Sequence, residues 1–243
     1  MLSLRNLKKV ALMVLLLPLV GAIAAPPGGD LYVEQKVTTS GMMGRPGTTS
    51  TQMLWMTKDM MRSEDPEQQS AIIFRLDKNL FYMLNMAEKT YQEMTSEDFK
   101  KMLSMGGAMF GKEEEAGKLN LTKTGQRQKI GQWDCYQVIM EQPDMKIDMW
   151  ITEEVTYDTT LFKKYMESMG GPFFSKEVLE QWAALKGYPI KTETTFTIGT
   201  MKTTSTTLVT KVSQKSIAKD IFSPPPDYKK VLLEMPGIPP EGN

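Results

Sequence analysis

Carboxylates are the side chains in this sequence most able to do acid–base chemistry, and three groups of them lie close together along the chain. The groups are Asp59 with Glu64 and Asp65, Asp144 with Asp148, and Glu153 with Glu154. Two carboxylates act as general acid and base when their surroundings separate their pKa values. The spacings here are instead typical of solvated strand edges, so the sequence does not favour catalysis by any of these groups.

The chain has no histidine and a single cysteine, Cys135. The commonest general base and zinc ligand is therefore missing, and no Ser-His-Asp arrangement can form. Cys135 lies in QWDCYQVIM between Trp133 and Val138, where a thiol behaves as a small hydrophobe. We expect Cys135 and Trp133 to be packed core residues. The sequence predicts a protein that is not an enzyme and that carries no cofactor.

Methionine is frequent, with 21 residues in the chain, and four of them cluster in MLWMTKDMM. The four are Met53, Met56, Met60 and Met61. Thioethers bind the soft ion copper(I), although methionine is also a flexible apolar filler. Side chains three apart in a strand point to opposite faces, so these residues could share one ion only at a bulge. A copper(I) site is kept as an alternative to simple packing.

The N-terminus has the pattern of a secretory signal peptide. Arg5, Lys8 and Lys9 precede the apolar run VALMVLLLPLV, and Ala22 and Ala24 form an A-x-A site. The run is shorter than the roughly 20 residues of a membrane span. We expect residues 1–24 to be removed and the protein to be periplasmic or secreted, with a retained N-terminal anchor as the alternative.

Removal of residues 1–24 would leave 219 residues with 26 basic and 29 acidic side chains. That length suits one sizeable domain. The weak acidic excess argues against nucleic acid, and it limits contact with anionic membranes to a transient one. We predict one domain over residues 25–223 and an extended, partly disordered Pro-rich tail over residues 224–243, where prolines oppose strand pairing.

About ten short segments alternate apolar and polar residues with the period of a strand. AIIFRLD and NLFYMLN flank Asp77-Lys78 as a hairpin, and QWDCYQVIMEQ and DMKIDMWITEE flank Pro143-Asp144 in the same way. TGQRQKIG, between Gly125 and Gly131, has the composition of a polar turn.

Three segments have helical patterns. The first follows an N-cap at Thr95 or Ser96, the second is DTTLFKKYMESMGG, and the third is SKEVLEQWAALKG with Ser175 as N-cap and Gly187 as C′. Strands joined by short turns, with paired helices, predict a mainly β (α+β) fold, a curled antiparallel sheet with helices on one face.

Apolar side chains on two strands and two helices could enclose a cavity. Met145, Ile147, Met149 and Ile151 would form one wall. Leu80, Tyr82 and Leu84 would form a neighbouring wall. Phe162, Met166 and Trp182 would form the roof. The same residues could instead fill a closed core, which is how apolar strand faces usually pack.

Several motifs follow one another along the chain in a specific order: Ile130-Gly131, Cys135, Trp150, Gly187-Tyr188-Pro189, Phe222 and Pro226 to Tyr228. This order resembles an exported bacterial domain-of-unknown-function family related to the LolA and LolB type of outer-membrane lipoprotein-sorting carriers. The resemblance implies a half-barrel of antiparallel strands with helices across its concave side, where the carriers hold acyl chains. Gly131 and Pro189 are then expected to be structural residues. No functional residue of a carrier can be matched to this sequence.

We therefore expect an exported binding or carrier protein whose partner is a hydrophobic small molecule, a lipoprotein segment or another envelope protein. Such a protein would work by burying apolar surface, at about 25 cal/mol per Å² before the costs of binding. The alternative is a structural or stress-related envelope protein with a closed core that acts through its outer surface.

Overall fold

The structure is a computed structural model, which describes residues 30–41, 46–98, 120–143, 145–155, 176–198 and 201–232. Within these ranges the chain forms a single curled sheet of twelve strands rather than about ten. The strands are β1 Leu31–Thr39, β2 Thr48–Met56, β3 Met60–Asp65, β4 Ser70–Arg75, β5 Leu80–Asn85, β6 Thr90–Thr95, β7 Asn120–Ile130, β8 Trp133–Gln142, β9 Met145–Thr152, β10 Tyr188–Ile198, β11 Met201–Gln214 and β12 Lys229–Lys230.

The strand order across the sheet is β12-β6-β5-β4-β3-β2-β1-β11-β10-β9-β8-β7. Consecutive strands are neighbours except where β1 pairs with β11 in the middle and where β12 pairs with β6 at one edge. All the pairs are antiparallel except the short parallel pairing of β12 with β6. The predicted antiparallel sheet is confirmed, and so are the hairpins β4–β5 and β8–β9.

Strands β3 to β6 repeat with a period of ten residues. Each has six residues and is followed by a four-residue turn, except that β6 leads into a helical turn at residues 96–98. The last turn residue has a positive φ in all three turns, at Gln69, Asn79 and Lys89. In two of them the last strand residue accepts a hydrogen bond from a turn amide, Asp65 Oδ1 from Gln68 N at 2.9 Å and Asn85 Oδ1 from Glu88 N at 3.1 Å. These bonds fix the turns and with them the register of the meander.

Two segments differ from the sequence predictions. Residues 124–130 of TGQRQKIG form the second half of strand β7 and not a turn. Strand β7 pairs with β8 on both sides of an irregularity between Lys123 and Arg127, and the turn consists only of Gly131-Gln132. Strand β3 was not predicted. Polar and charged side chains predominate in both segments, and the two methionines of β3 are adjacent, so neither segment has the alternating hydrophobic pattern of a half-buried strand.

One α-helix, α1 (Lys176–Ala183), lies within the described residues. It ends before the predicted Gly187, which instead precedes β10 with a φ of 99°. A Cβ at Gly187 would lie 2.0 Å from Thr152 O, so close backbone approach requires glycine there.

Thr95 is the N-cap of the helical turn at 96–98, and its Oγ1 accepts from Asp98 N at 3.2 Å. The helix predicted in DTTLFKKYMESMGG lies outside the described residues.

Residues 215–232 follow the last long strand. A strap (residues 215–223) crosses the sheet and ends in a 3-10 turn at Lys219–Phe222, with Phe222 fully buried. The hinge Pro224–Pro226 follows. An arm (residues 227–232) then adds β12 to the edge of β6. Of the predicted tail over residues 224–243, residues 233–243 lie outside the described residues.

Candidate functional site

One face of strands β1 to β6 carries a continuous row of apolar side chains. Residues that are direct partners on adjacent strands point to the same side of a sheet, so the register defines the row. This apolar row consists of Leu31, Met56, Met61, Phe74, Phe81 and Met94. It crosses five strand spacings, about 24 Å, and each of its members is at most 8% exposed.

A second row on the same face is polar. Four residues away along each strand, about 13 Å from the apolar row, stand Gln35, Gln52, Asp65, Ser70, Asn85 and Thr90. The row between them is mixed, with Val33, Leu54, Ser63, Ile72, Met83 and Gln92. The face is therefore amphiphilic along its strands, and the polar row becomes exposed at Asn85.

The polar row contains buried groups that are held by hydrogen bonds. Asp65 is 7% exposed and accepts from Ser50 Oγ at 2.7 Å, and Gln35 Nε2 donates to Gln52 Oε1 at 3.2 Å. Ser70 Oγ is the buried side-chain polar atom within the described ranges that has no hydrogen-bond partner. A buried hydroxyl without a partner is costly, so an additional polar group at this position would stabilise the row.

The structure does not bring the predicted cavity walls together. Met145, Ile147, Met149 and Ile151 form a buried cluster with Trp182 of α1, Leu185, Val138 and Met140. Leu80, Tyr82 and Leu84 instead form a different cluster with Ile217 and Phe222 of the strap. They lie on the opposite face of β5 from Phe81 and Met83, which belong to the apolar and mixed rows. Phe162 and Met166 lie outside the described residues.

The methionines of the copper(I) alternative are divided between two faces. Met56 and Met61 are direct partners in the apolar row, while Met53 pairs with Glu64 and Met60 with Arg75 on the other face. Met60 packs in the cluster under the strap, and Met56 and Met61 pack in the cluster of the apolar row. The four thioethers therefore do not point toward a common site.

An open cleft of about 320 Å³ lies on the β7–β8 hairpin. Its lining residues are Arg127, Gln128, Lys129, Asp134 and Cys135. Cys135 is 1% exposed and packs with Trp133 in the cluster of the apolar row. Burial, with smaller effects of Glu154 and Asp134, raises the pKa of its thiol to about 11. Such a thiol is a poor nucleophile at neutral pH.

The two predicted structural residues lie at irregular points of the backbone. Gly131 forms the turn of the β7–β8 hairpin with a φ of 59°, and Pro189 pairs with Ile151 beside an irregularity in β10.

Sequence reasoning did not find the two rows. Their signal was present as the ten-residue spacing of β3 to β6, which fixes the residues that meet across strands once the turns are known. Phe81 and Met83 alternate with Leu80, Tyr82 and Leu84, and both sets are apolar. The sequence pattern alone therefore could not show which of these two sets packs in the cluster of the apolar row and which packs beneath the strap.

A family model matches residues 41–228, more than half of the chain. The chain belongs to the DUF4412 family. DUF4412 is described as a domain of unknown function, and the predicted membership of such a family is confirmed. No curated protein matches this DUF4412 chain significantly. No helix among its described residues is long and apolar enough to cross a bilayer.

Three solved structures are similar to this DUF4412 protein at low identity. A putative outer-membrane lipoprotein-sorting protein domain from Vibrio parahaemolyticus has 8% identity and a TM-score of 0.34, over 80% of this chain and 89% of that one. A DUF1329 family protein from Desulfovibrio piger ATCC 29098 has 9% identity and a TM-score of 0.34, over 90% and 96%.

The third structure is PNGF-II, with 9% identity and a TM-score of 0.39 over 85% of this chain. The chain spans about a third of the length of PNGF-II, 32%. With TM-scores below 0.5, these similarities identify no activity for this DUF4412 protein.

Proposed function

We propose that this DUF4412 protein is an exported, non-enzymatic protein that binds an amphiphile, such as a lipid or the acylated segment of an envelope protein, on the face that carries the two rows. The observation that carries the proposal is the lengthwise division of this face into an apolar row and a polar row. An apolar chain inserted along the strands, between this face and the residues of β8 and β10 that pack against it, would contact side chains of the apolar and mixed rows. Its polar end would then lie at the polar row.

The polar row supports an amphiphile rather than a purely apolar ligand. A hydrocarbon would leave Ser70 Oγ without a partner, whereas a head group with a hydrogen-bond donor or acceptor could satisfy it. The carboxylate of Asp65, the direct cross-strand partner of Ser70, would favour a donor such as a hydroxyl or an ammonium group.

The first experiment is native mass spectrometry of the protein purified without detergent, followed by titration with a fluorescent fatty acid. We expect a retained amphiphile or saturable binding of the probe. Met83→Gln, in the mixed row, should weaken binding by about tenfold, because a polar group would meet the apolar chain. Leu208→Gln is the matched control. Leu208 is 36% exposed and pairs with Lys36, on the opposite face from Gln35.

Ser70→Ala tests the polar row separately. The variant removes a hydroxyl that has no hydrogen-bond partner among the described residues, so the free energy of unfolding should stay the same or rise. Binding of an amphiphile with a hydroxyl or ammonium head should weaken by about three- to tenfold. A protein that carries no amphiphile and binds no probe would contradict the proposal and favour a closed core that acts through its outer surface.

A further inference from the structure

The arm is attached to the sheet by the pairing of β12 with β6, by two ion pairs and by Tyr228, which packs against the cluster that contains Phe222 of the strap. Lys229 N donates to Lys89 O and Val231 N donates to Tyr91 O, both at 2.9 Å. Two ion pairs flank this ladder, Lys89 Nζ with Asp227 Oδ2 and Lys230 Nζ with Glu93 Oε1, both at 2.7 Å and with largely solvent-accessible side chains. Exposed ion pairs contribute little to the stability of a contact, and salt screens their attraction.

The strap before the hinge is held much more strongly than the arm. Phe222 is fully buried, and Arg62 Nη1 donates to Ile221 O at 3.0 Å while Arg75 Nη1 donates to Phe222 O at 3.4 Å. Both guanidinium groups are oriented by carboxylates, Glu64 for Arg62 and Asp77 for Arg75. The arm can therefore leave the sheet while the strap stays in place.

Departure of the arm would leave β6 as an open sheet edge. An uncovered edge presents backbone donors and acceptors that pair with other chains. In the structure Tyr228 N donates to Pro225 O at 3.0 Å and closes a turn at the hinge. Three consecutive prolines also favour an extended, semi-rigid conformation, and opening of this turn would carry the arm away from its own sheet. A second copy of the chain offers the same β6 edge and the same ion-pair partners, and such an exchange of identical elements costs little.

We propose that the arm exchanges between two copies of this protein, so that each β12 pairs with the β6 of the other copy. The edge of β6 is then an isologous dimer interface. This proposal concerns the sheet edge and does not depend on the function proposed for the two rows.

The test is a pair of charge-reversed full-length variants that can satisfy their ion pairs only by exchange. One chain carries Lys89→Glu and Glu93→Lys, and the other carries Asp227→Lys and Lys230→Glu. Within either variant the two pairs become like-charged. In a mixed dimer with exchanged arms, all four pairs are again between opposite charges. After equilibration of the mixture, native mass spectrometry should show a heterodimer at least about tenfold more abundant than either homodimer.

The control reverses an ion pair of similar exposure that lies within a hairpin. Lys146 Nζ contacts Glu141 Oε1 at 2.8 Å between β8 and β9. Chains with Lys146→Glu and with Glu141→Lys should show no preference for heterodimers. If the arm variants stay monomeric when mixed, the proposal is wrong.

A concentration series of the wild-type protein covers the case in which a variant does not fold. Light scattering should show a dimer fraction that grows with protein concentration. A wild-type protein that is monomeric up to millimolar concentration would also overturn the proposal.

Discussion

At the residue scale, Gly187 is the glycine among the described residues where the backbone leaves least room for a side chain. It lies where the chain enters β10, against the carbonyl of Thr152 at the end of β9. The sequence marked this glycine correctly as special but assigned it to the end of a helix. Its role depends on a contact with a residue 35 positions earlier, which local patterning cannot reveal.

Gly187→Ala should lower the free energy of unfolding by about 3 kcal/mol or more, because the new Cβ would overlap Thr152 O at a positive φ. Urea denaturation measures the change. Gly125→Ala is the control, since Gly125 also has a positive φ of 78° but no atom within 4 Å of the new Cβ. The Gly125→Ala variant should lose only about 1–2 kcal/mol in the free energy of unfolding. Equal losses in the two variants would show that the approach to Thr152 is not responsible.

At the scale of elements, the strap and the meander are joined by arginines on β3 and β4. Arg75 Nε and Nη2 donate to the two oxygens of Asp77 at 2.8 and 2.7 Å, while Nη1 of the same guanidinium reaches Phe222 O. The hydrogen bond to Arg75 is the main cause that lowers the pKa of Asp77. A folded pKa below the unfolded value stabilises the protein above about pH 4, and this contribution is lost as the pH falls through the folded pKa.

Asp77→Asn should therefore lower stability at pH 7 by about 0.5–1 kcal/mol, a small value because the Asp77 side chain is 36% exposed. The difference from wild type should shrink as the pH is lowered toward about 2, where Asp77 is protonated in both states. Urea midpoints at several pH values measure it. A difference that does not change with pH would exclude the ion pair as its cause.

The individual strands also show which parts of the fold could be predicted from the sequence and which could not. Strands with one buried face, such as β9, were predicted because Met145, Ile147, Met149 and Ile151 alternate with polar residues. Strand β7 was divided wrongly because it is a sheet edge whose side chains are mostly exposed on both faces. The strap covers β5 from about 135 positions further along the chain, so the sequence could not show that Tyr82 and Leu84 pack beneath it.

At the scale of the whole molecule, the predicted antiparallel sheet is present, and the apolar residues of the described ranges pack in three clusters. The position of the proposed binding face depends on register across six strands. Register follows from turn geometry, and the sequence did not indicate the turns on either side of β3, a strand that it missed.

If the face binds an amphiphile, a long-chain ligand should raise the melting temperature of the intact protein. At a ligand concentration of about 100 times Kd, the stabilisation is about 2.7 kcal/mol, or about 5–10 °C for a domain of this size. Differential scanning calorimetry with a long-chain and a four-carbon analogue of the same head group measures it. The short analogue should give almost no shift, and equal shifts would place the binding at the head group alone.

The ten-residue spacing of β3 to β6 has a consequence for how such a sheet can change in length. An insertion of ten residues would add one strand but reverse the direction in which the chain leaves the meander. An insertion of twenty would add a complete up-and-down pair and return every later residue to its original side and heading. Length variants among relatives should therefore differ here in steps of twenty residues. Each step would lengthen the apolar row by two strand spacings, about 10 Å.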